Sequence, residues 1–172
     1  MKNPNLIDIA GPNGSGKTSI TKTILKHEWV NDCVYINPDD IAQEKFGDWN
    51  SKESVLNAAI FSTQLRYDTL NKRKSLIFET VFSSEEKIQF IERAISLNYF
   101  IRFFFIGTIS PTINASRIAK RVMEGGHDVP ISKIIDRYQK SILNCIEISK
   151  KVDRLYIYDN SIENESPKLI FR

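Results

Sequence analysis

The sequence predicts an α/β fold, a three-layer sandwich with a mostly parallel five-stranded sheet covered by helices on both faces. Three features predict it. Short, continuously apolar stretches bounded by turn residues recur along the chain. Amphipathic helical patterns fill most of the intervals between them. A glycine-rich turn, residues 11–18, joins the first apolar stretch to the first helical one. Strands buried on both faces read as unbroken apolar runs, and strand–helix alternation is the sequence form of a parallel sheet.

The first strand is expected at Leu6–Ala10 and the second at Cys33–Asn37. Leu76–Glu79 is the third, and Tyr99–Gly107, rich in aromatic and β-branched residues, is the strongest strand signal. Leu155–Tyr158 is the fifth, and Lys168–Arg172 reads as a short edge strand. Helices are expected at Lys17–His27 and from about Lys52 to Asn71, the latter on Val55, Ala58, Ala59, Ile60, Leu65 and Leu70. Glu85–Leu97 places Ile88, Ile91, Ala94 and Ile95 on one face behind a Ser83-Ser84 cap signal. Asn114–Met123 is a basic helix, and Ile131–Lys151 is the last. The residues from Ser161 onward are polar and are expected to be loosely held.

The chain of 172 residues has the length of one domain, with 41% hydrophobic and 26% charged residues. This excludes a disordered chain. The net charge of +3 suits an anionic ligand but lacks the dense basic stripe of a nucleic-acid binder. Trp29 and Trp49 are isolated and form no stacking platform, so no nucleic-acid partner is expected. Cys33 and Cys145 have no metal or redox spacing and read as small core residues. No run reaches the ~20 apolar residues of a membrane span, and a cytoplasmic location is expected.

Gly11-Pro12-Asn13-Gly14-Ser15-Gly16-Lys17-Thr18 matches G-x-x-x-x-G-K-[ST] in full, with a strand before it and a helix after it. Glycines permit the sharp turn that exposes backbone N–H groups to phosphate oxygens. The positive end of the following helix adds attraction. ATP is the expected ligand of this run, with Ser19 behind it. Lys17 is expected on the β- and γ-phosphates, and Thr18 on Mg²⁺. Motor and switch NTPases usually end a second apolar strand in Asp. Here Leu76-Ile77-Phe78 ends in Glu79 and the Tyr99 strand ends in Gly107-Thr108, which favours a kinase.

The carboxyl ends of parallel strands face the ligand crevice. That brings Asp39 and Asp40 toward the phosphates, one as the base that accepts the acceptor's hydroxyl proton and the other as a helix cap. Asp39 is preferred as base and Asp40 as cap. Glu79 and Thr80 end the third strand on the same edge and suit hydroxyls of an acceptor. Arg117 and Arg121, four apart on one helix face, lead into Gly125-Gly126-His127, the makings of a lid at about 111–130 whose arginines neutralise transferred charge. His127 reads as a phosphate contact or a surface loop residue, and Arg137 is a further candidate on the last helix.

The runs GPNGSGKT, INPDDIA, FETVFSS and RIAKRVMEGGHDVP, with Arg137-Tyr138 and Tyr158-Asp159-Asn160-Ser161, in this order over nearly the whole chain, resemble the zeta-toxin family of P-loop kinases, most closely its short branch with a GGHxVP lid. The resemblance implies strand order 2-3-1-4-5 and ATP-dependent phosphorylation of a small acceptor. For the well-studied toxins that acceptor is UDP-N-acetylglucosamine, and a small antitoxin protein covers the ATP site. It implies Lys17 and Thr18 on phosphate and magnesium, Asp39 as base, Glu79 and Thr80 on the acceptor, and Arg121 as the lid arginine. Where larger toxins carry a second lid arginine, this chain carries His127. Two other readings stay open: a kinase of another small metabolite such as a nucleoside, sugar or antibiotic, and a non-catalytic ATP-binding regulatory module.

Overall fold

A computed structural model of the chain describes residues 3–47, 51–126 and 128–172. Its sheet contains β1 (Asn5–Ala10), β2 (Val34–Ile36), β3 (Leu76–Thr80), β4 (Phe100–Gly107), β5 (Arg154–Asp159) and β6 (Lys168–Phe171), in the order β2-β3-β1-β4-β5-β6. The first five strands are mutually parallel and follow the expected 2-3-1-4-5 order. The sixth is antiparallel to β5 and extends the edge, so the sheet has six strands rather than five. The tail expected to be loose therefore returns to the sheet, helped by Ser161 Oγ accepting from the Ile109 N–H at 2.9 Å.

Six α-helices flank the sheet among the described residues: α1 (Lys17–Ile24), α2 (Pro38–Phe46), α3 (Lys52–Asn71), α4 (Glu85–Ser96), α5 (Pro111–Met123) and α6 (Ile131–Ile148). Side chains alternate across the strands, so two cores form. Leu6, Ala10, Phe78, Phe103 and Phe105 pack with α3, α4 and α6 on one face. Ile7, Ile9, Ile77, Phe104 and Ile106 pack with Ile20 and Ile24 of α1 on the other. Central strands that are apolar on both sides leave no room for solvent on either face, which is why their sequence shows no polar alternation.

Several boundaries differ from expectation. The first helix stops at Ile24, and a 3₁₀ turn at Glu28–Val30 follows, capped by the His27 ring accepting from the Trp29 N–H at 3.2 Å. Pro38–Phe46 forms a full helix, and its cap is Asn37, whose side-chain oxygen accepts from the Asp39 N–H at 3.0 Å. Asp40 is therefore not the cap: Pro38 takes the first helical position and moves the start three residues earlier. The helix expected from Asn114 begins at Pro111, because Ser110 caps it from the Thr112 N–H. Trp49 lies outside the described residues.

The largest departure is in α3. Leu56 and Ile60 are exposed, while Ser54, Ala58, Ser62, Arg66 and Leu70 are buried. These recur every four residues, so the stripe turned inward is largely polar. No helix among the described residues is long and apolar enough to cross a membrane.

Candidate active site

A cleft of about 800 Å³ opens at the carboxyl edge of β1, β2 and β3, between the glycine-rich turn, α3 and the start of α4. The turn is held from three sides. Gly11 N–H donates to the Thr80 carbonyl at 3.2 Å. Asn114 Nδ2 donates to the Asn13 carbonyl at 2.7 Å, and Asn160 Nδ2 to the Ser15 carbonyl at 2.8 Å. Two glycines are required by this packing. A Cβ at Gly14, with φ +76, would stand 2.5 Å from the Asn114 carbonyl oxygen; one at Gly16, with φ +88, would stand 2.2 Å from Asn160 Nδ2.

Lys17 curls over the turn and donates to the carbonyls of Gly11 at 2.8 Å and Pro12 at 3.1 Å. Burial lowers its ammonium to about 8. Glu79 and Asp39 oppose that fall, while Arg121 adds to it. Glu79, Asp39 and Arg121 thus all lie within electrostatic reach of Lys17, although the four residues come from four separate elements. Burial raises the Glu79 carboxyl, opposed by a hydrogen bond with Thr21 and by Lys17. One Glu79 oxygen, Oε1, is buried without a hydrogen-bond partner.

Of the residues expected at the site, Asn13, Gly14, Gly16, Lys17, Thr18, Asp39, Glu79, Thr80, Arg117, Arg121 and Arg137 line the cleft. Asp40 does not line it. Burial and the neighbouring Asp39 raise its carboxyl, and Asn37 hydrogen-bonds it. Gly11, Pro12 and Ser15 form the buried inside of the turn, with the Ser15 hydroxyl fully buried and unpartnered. Ser19 lies with Gly16, Arg117, Asn160 and residues 162–167 around a second, shallower depression of about 450 Å³. The Thr80 hydroxyl accepts from the Phe82 N–H at 3.0 Å, steadying a Phe82 backbone at φ +55. His127 lies outside the described residues.

The arginines are anchored rather than loose. Arg117 Nη1 donates to the Asn160 carbonyl at 2.8 Å, and Arg137 Nη1 to Asn13 Oδ1 at 3.2 Å. Gly126 N–H donates to the Arg121 carbonyl at 2.9 Å and allows close approach to its side chain. Sequence reasoning assigned no role to Asn114, Thr108 or Asn160. Asn114 is fully buried, accepts from the Thr108 hydroxyl and holds the turn. The signal available for Asn160 was its place just past the β5 strand, at the ligand edge of the sheet.

A phosphate-binding turn at the carboxyl edge of this sheet, faced by carboxylates and by a helix bearing two arginines, defines a P-loop kinase. The family model for zeta toxins matches residues 1–166, and the chain belongs to the zeta-toxin family. Among solved structures, a chain of the PezAT chromosomal toxin–antitoxin system of Streptococcus pneumoniae is similar with a TM-score of 0.67 and 17% identity, covering 99% of this chain and 72% of that one. The AvrRxo1-ORF1:-ORF2 structure with ATP matches with a TM-score of 0.74 and 15% identity, over 98% of this chain and 57% of that one. A chain of the Pnkp1/Rnl/Hen1 RNA repair complex matches with a TM-score of 0.63 and 20% identity, over 89% of this chain and 47% of that one. At these identities the likeness is one of fold. No curated protein matches the chain.

Proposed function

We propose that this chain transfers the γ-phosphate of ATP to a hydroxyl of a small acceptor, with a nucleotide sugar such as UDP-N-acetylglucosamine as the acceptor. The observation that carries this reading is the grouping of Asp39 and Glu79 around Lys17 in one cleft beside the glycine-rich turn. A protein that only bound nucleotide would need no carboxylates facing the terminal phosphate.

ATP phosphates fit the turn, because Lys17 is already held over its carbonyls and no Cβ crowds Gly14 or Gly16. The adenine is assigned to the depression between Arg117, Asn160 and residues 162–167. Thr18 would hold Mg²⁺, which when bound neutralises phosphate charge. Asp39 accepts the proton of the acceptor hydroxyl as its oxygen bonds to the γ-phosphorus and the bond to the β-phosphate oxygen breaks, releasing ADP. Lys17, Arg121 and Arg117 stabilise the charge that develops on the transferred group. Glu79 orients the acceptor, with Thr80 and Arg137 at the edges of its site. A small antitoxin protein covering the nucleotide site is the proposed macromolecular partner.

The test is incubation with Mg·ATP and UDP-N-acetylglucosamine, followed by mass spectrometry. The expected product gains one phosphoryl group and is absent with Lys17→Ala and Asp39→Ala. ATP binding without any such product would overturn the nucleotide-sugar assignment. ADP release with another sugar, nucleoside or antibiotic would then redirect it.

A further inference from the structure

The floor of the cleft carries charge that phosphoryl transfer does not use. Arg66, on the inward stripe of α3, is 4% exposed and lies over the rings of Phe78 and Phe90 at 5.1 and 5.7 Å. Its Nη2 donates to Thr63 Oγ1 at 3.1 Å, but its buried Nε has no hydrogen-bond partner. The Glu86 oxygen it faces is 3.8 Å away, beyond hydrogen-bond distance, and is also unpartnered. Lys87 holds the other Glu86 oxygen at 2.5 Å. A buried and a half-buried cation thus face one carboxylate, and only Lys87 is hydrogen-bonded to it.

Asp8 does not even this balance. It lies 1% exposed in β1, and burial raises its carboxyl to about 8, so it keeps its proton at neutral pH. Burial lowers the Lys87 ammonium, and repulsion from Arg66 lowers it further. Both cations line the cleft, as do Ser83 and Ser84. Ser84 makes no side-chain cap to α4, whose positive end adds to the field. A purely structural salt bridge would bring the Arg66 and Glu86 atoms together, since leaving either buried and unmatched is costly.

We propose that this floor is a subsite for an acidic group, phosphate or carboxylate, held between Arg66, Lys87 and the first turn of α4. The acceptor is then a small molecule that carries both a reactive hydroxyl and an acid group displaced along the cleft. The acceptor's identity rests on the kinase reading; the anion subsite does not.

The experiment fills the nucleotide site with Mg·AMP-PNP and titrates inorganic phosphate by calorimetry. Wild type is expected to bind one phosphate. Lys87→Met weakens it about tenfold, the scale of one charge-assisted contact, and Glu86→Gln strengthens it by freeing both cations. Arg66→Met is expected to abolish it; because Arg66 is buried, Lys87→Met, at a side chain 20% exposed, carries the test if that variant does not fold. Turnover separates an acceptor's own acid group from free phosphate: Lys87→Met should raise KM for UDP-N-acetylglucosamine about tenfold while leaving KM for ATP unchanged. No phosphate binding to loaded wild type, or equal binding in all variants, overturns the subsite. Phosphate binding with the expected variant pattern but no phosphorylated product defeats only the kinase reading.

Discussion

Asn160 holds the phosphate-binding turn from behind, its Nδ2 donating to the Ser15 carbonyl oxygen at 2.8 Å across 145 positions of sequence. The same atom stands where a side chain at Gly16 would have to go. Gly16→Ala is therefore expected to cost about 1–3 kcal/mol from the positive φ and the clash together, and to abolish ATP binding. Asn160→Ala keeps the fold and weakens ATP about three- to tenfold, the scale of one hydrogen bond. Thermal melting and nucleotide titration check both; a Gly16→Ala variant that melts and binds like wild type would show that the two residues are not in contact.

The two neighbouring aspartates should separate cleanly in kinetics. Asp39 lines the cleft and Asp40 does not. Asp39→Asn is expected to lower kcat about 100- to 10,000-fold with Mg·AMP-PNP affinity unchanged, while Asp40→Asn changes kcat by less than about threefold. The reverse ranking would move the base to Asp40.

In the proposed mechanism Lys17 contacts phosphate as a cation, and in the free protein burial lowers its ammonium to about 8. Bound phosphate favours the protonated form, so binding takes up a proton once the pH exceeds that value. Affinity for Mg·AMP-PNP should be level near pH 7 and fall toward about tenfold per unit above 8. Glu79 is the largest support for that charge, so Glu79→Gln should move the fall to lower pH. Calorimetry at pH 7, 8 and 9 decides it, and a flat profile across that range would refute the assignment.

Asp8 should tie stability to pH in the opposite sense to a salt-bridged carboxylate. The unfolded chain releases this proton near 3.8, whereas the folded chain holds it to about 8. Between those values the folded state carries the extra proton, so the Asp8 contribution to stability declines as pH rises through that window. Asp8→Asn removes the slope. It should lie closest to wild type near pH 4 and exceed it by a widening margin toward pH 8, on the order of several kcal/mol, in urea unfolding. A difference independent of pH would exclude burial as the cause.

Much of the fold was readable residue by residue. Leu6–Ala10, Leu76–Glu79 and the aromatic run ending at Gly107 are apolar except at Asp8, Glu79 and Arg102, and burial on both sheet faces is the environment that suits them. The glycine-rich turn carries its geometry in its own φ angles, and strand and helix stand on either side of it. The helix at Pro38–Phe46 was expected only as a turn capped by Asp40 because its apolar content is slight; Asn37 and Pro38 start it by capping rather than by pattern.

By itself the sequence determined the alternation of strands and helices, the phosphate-binding turn and the carboxylates that end β3 and begin α2, since each is a local property of backbone freedom or side-chain period. Tertiary structure alone decided which stripe of α3 faces inward, that Asn160 and Asn114 brace the turn, and that Arg66 and Lys87 share Glu86 on the cleft floor. Those are contacts between distant segments, and the burial that gives a charge its strength exists only once the elements have packed.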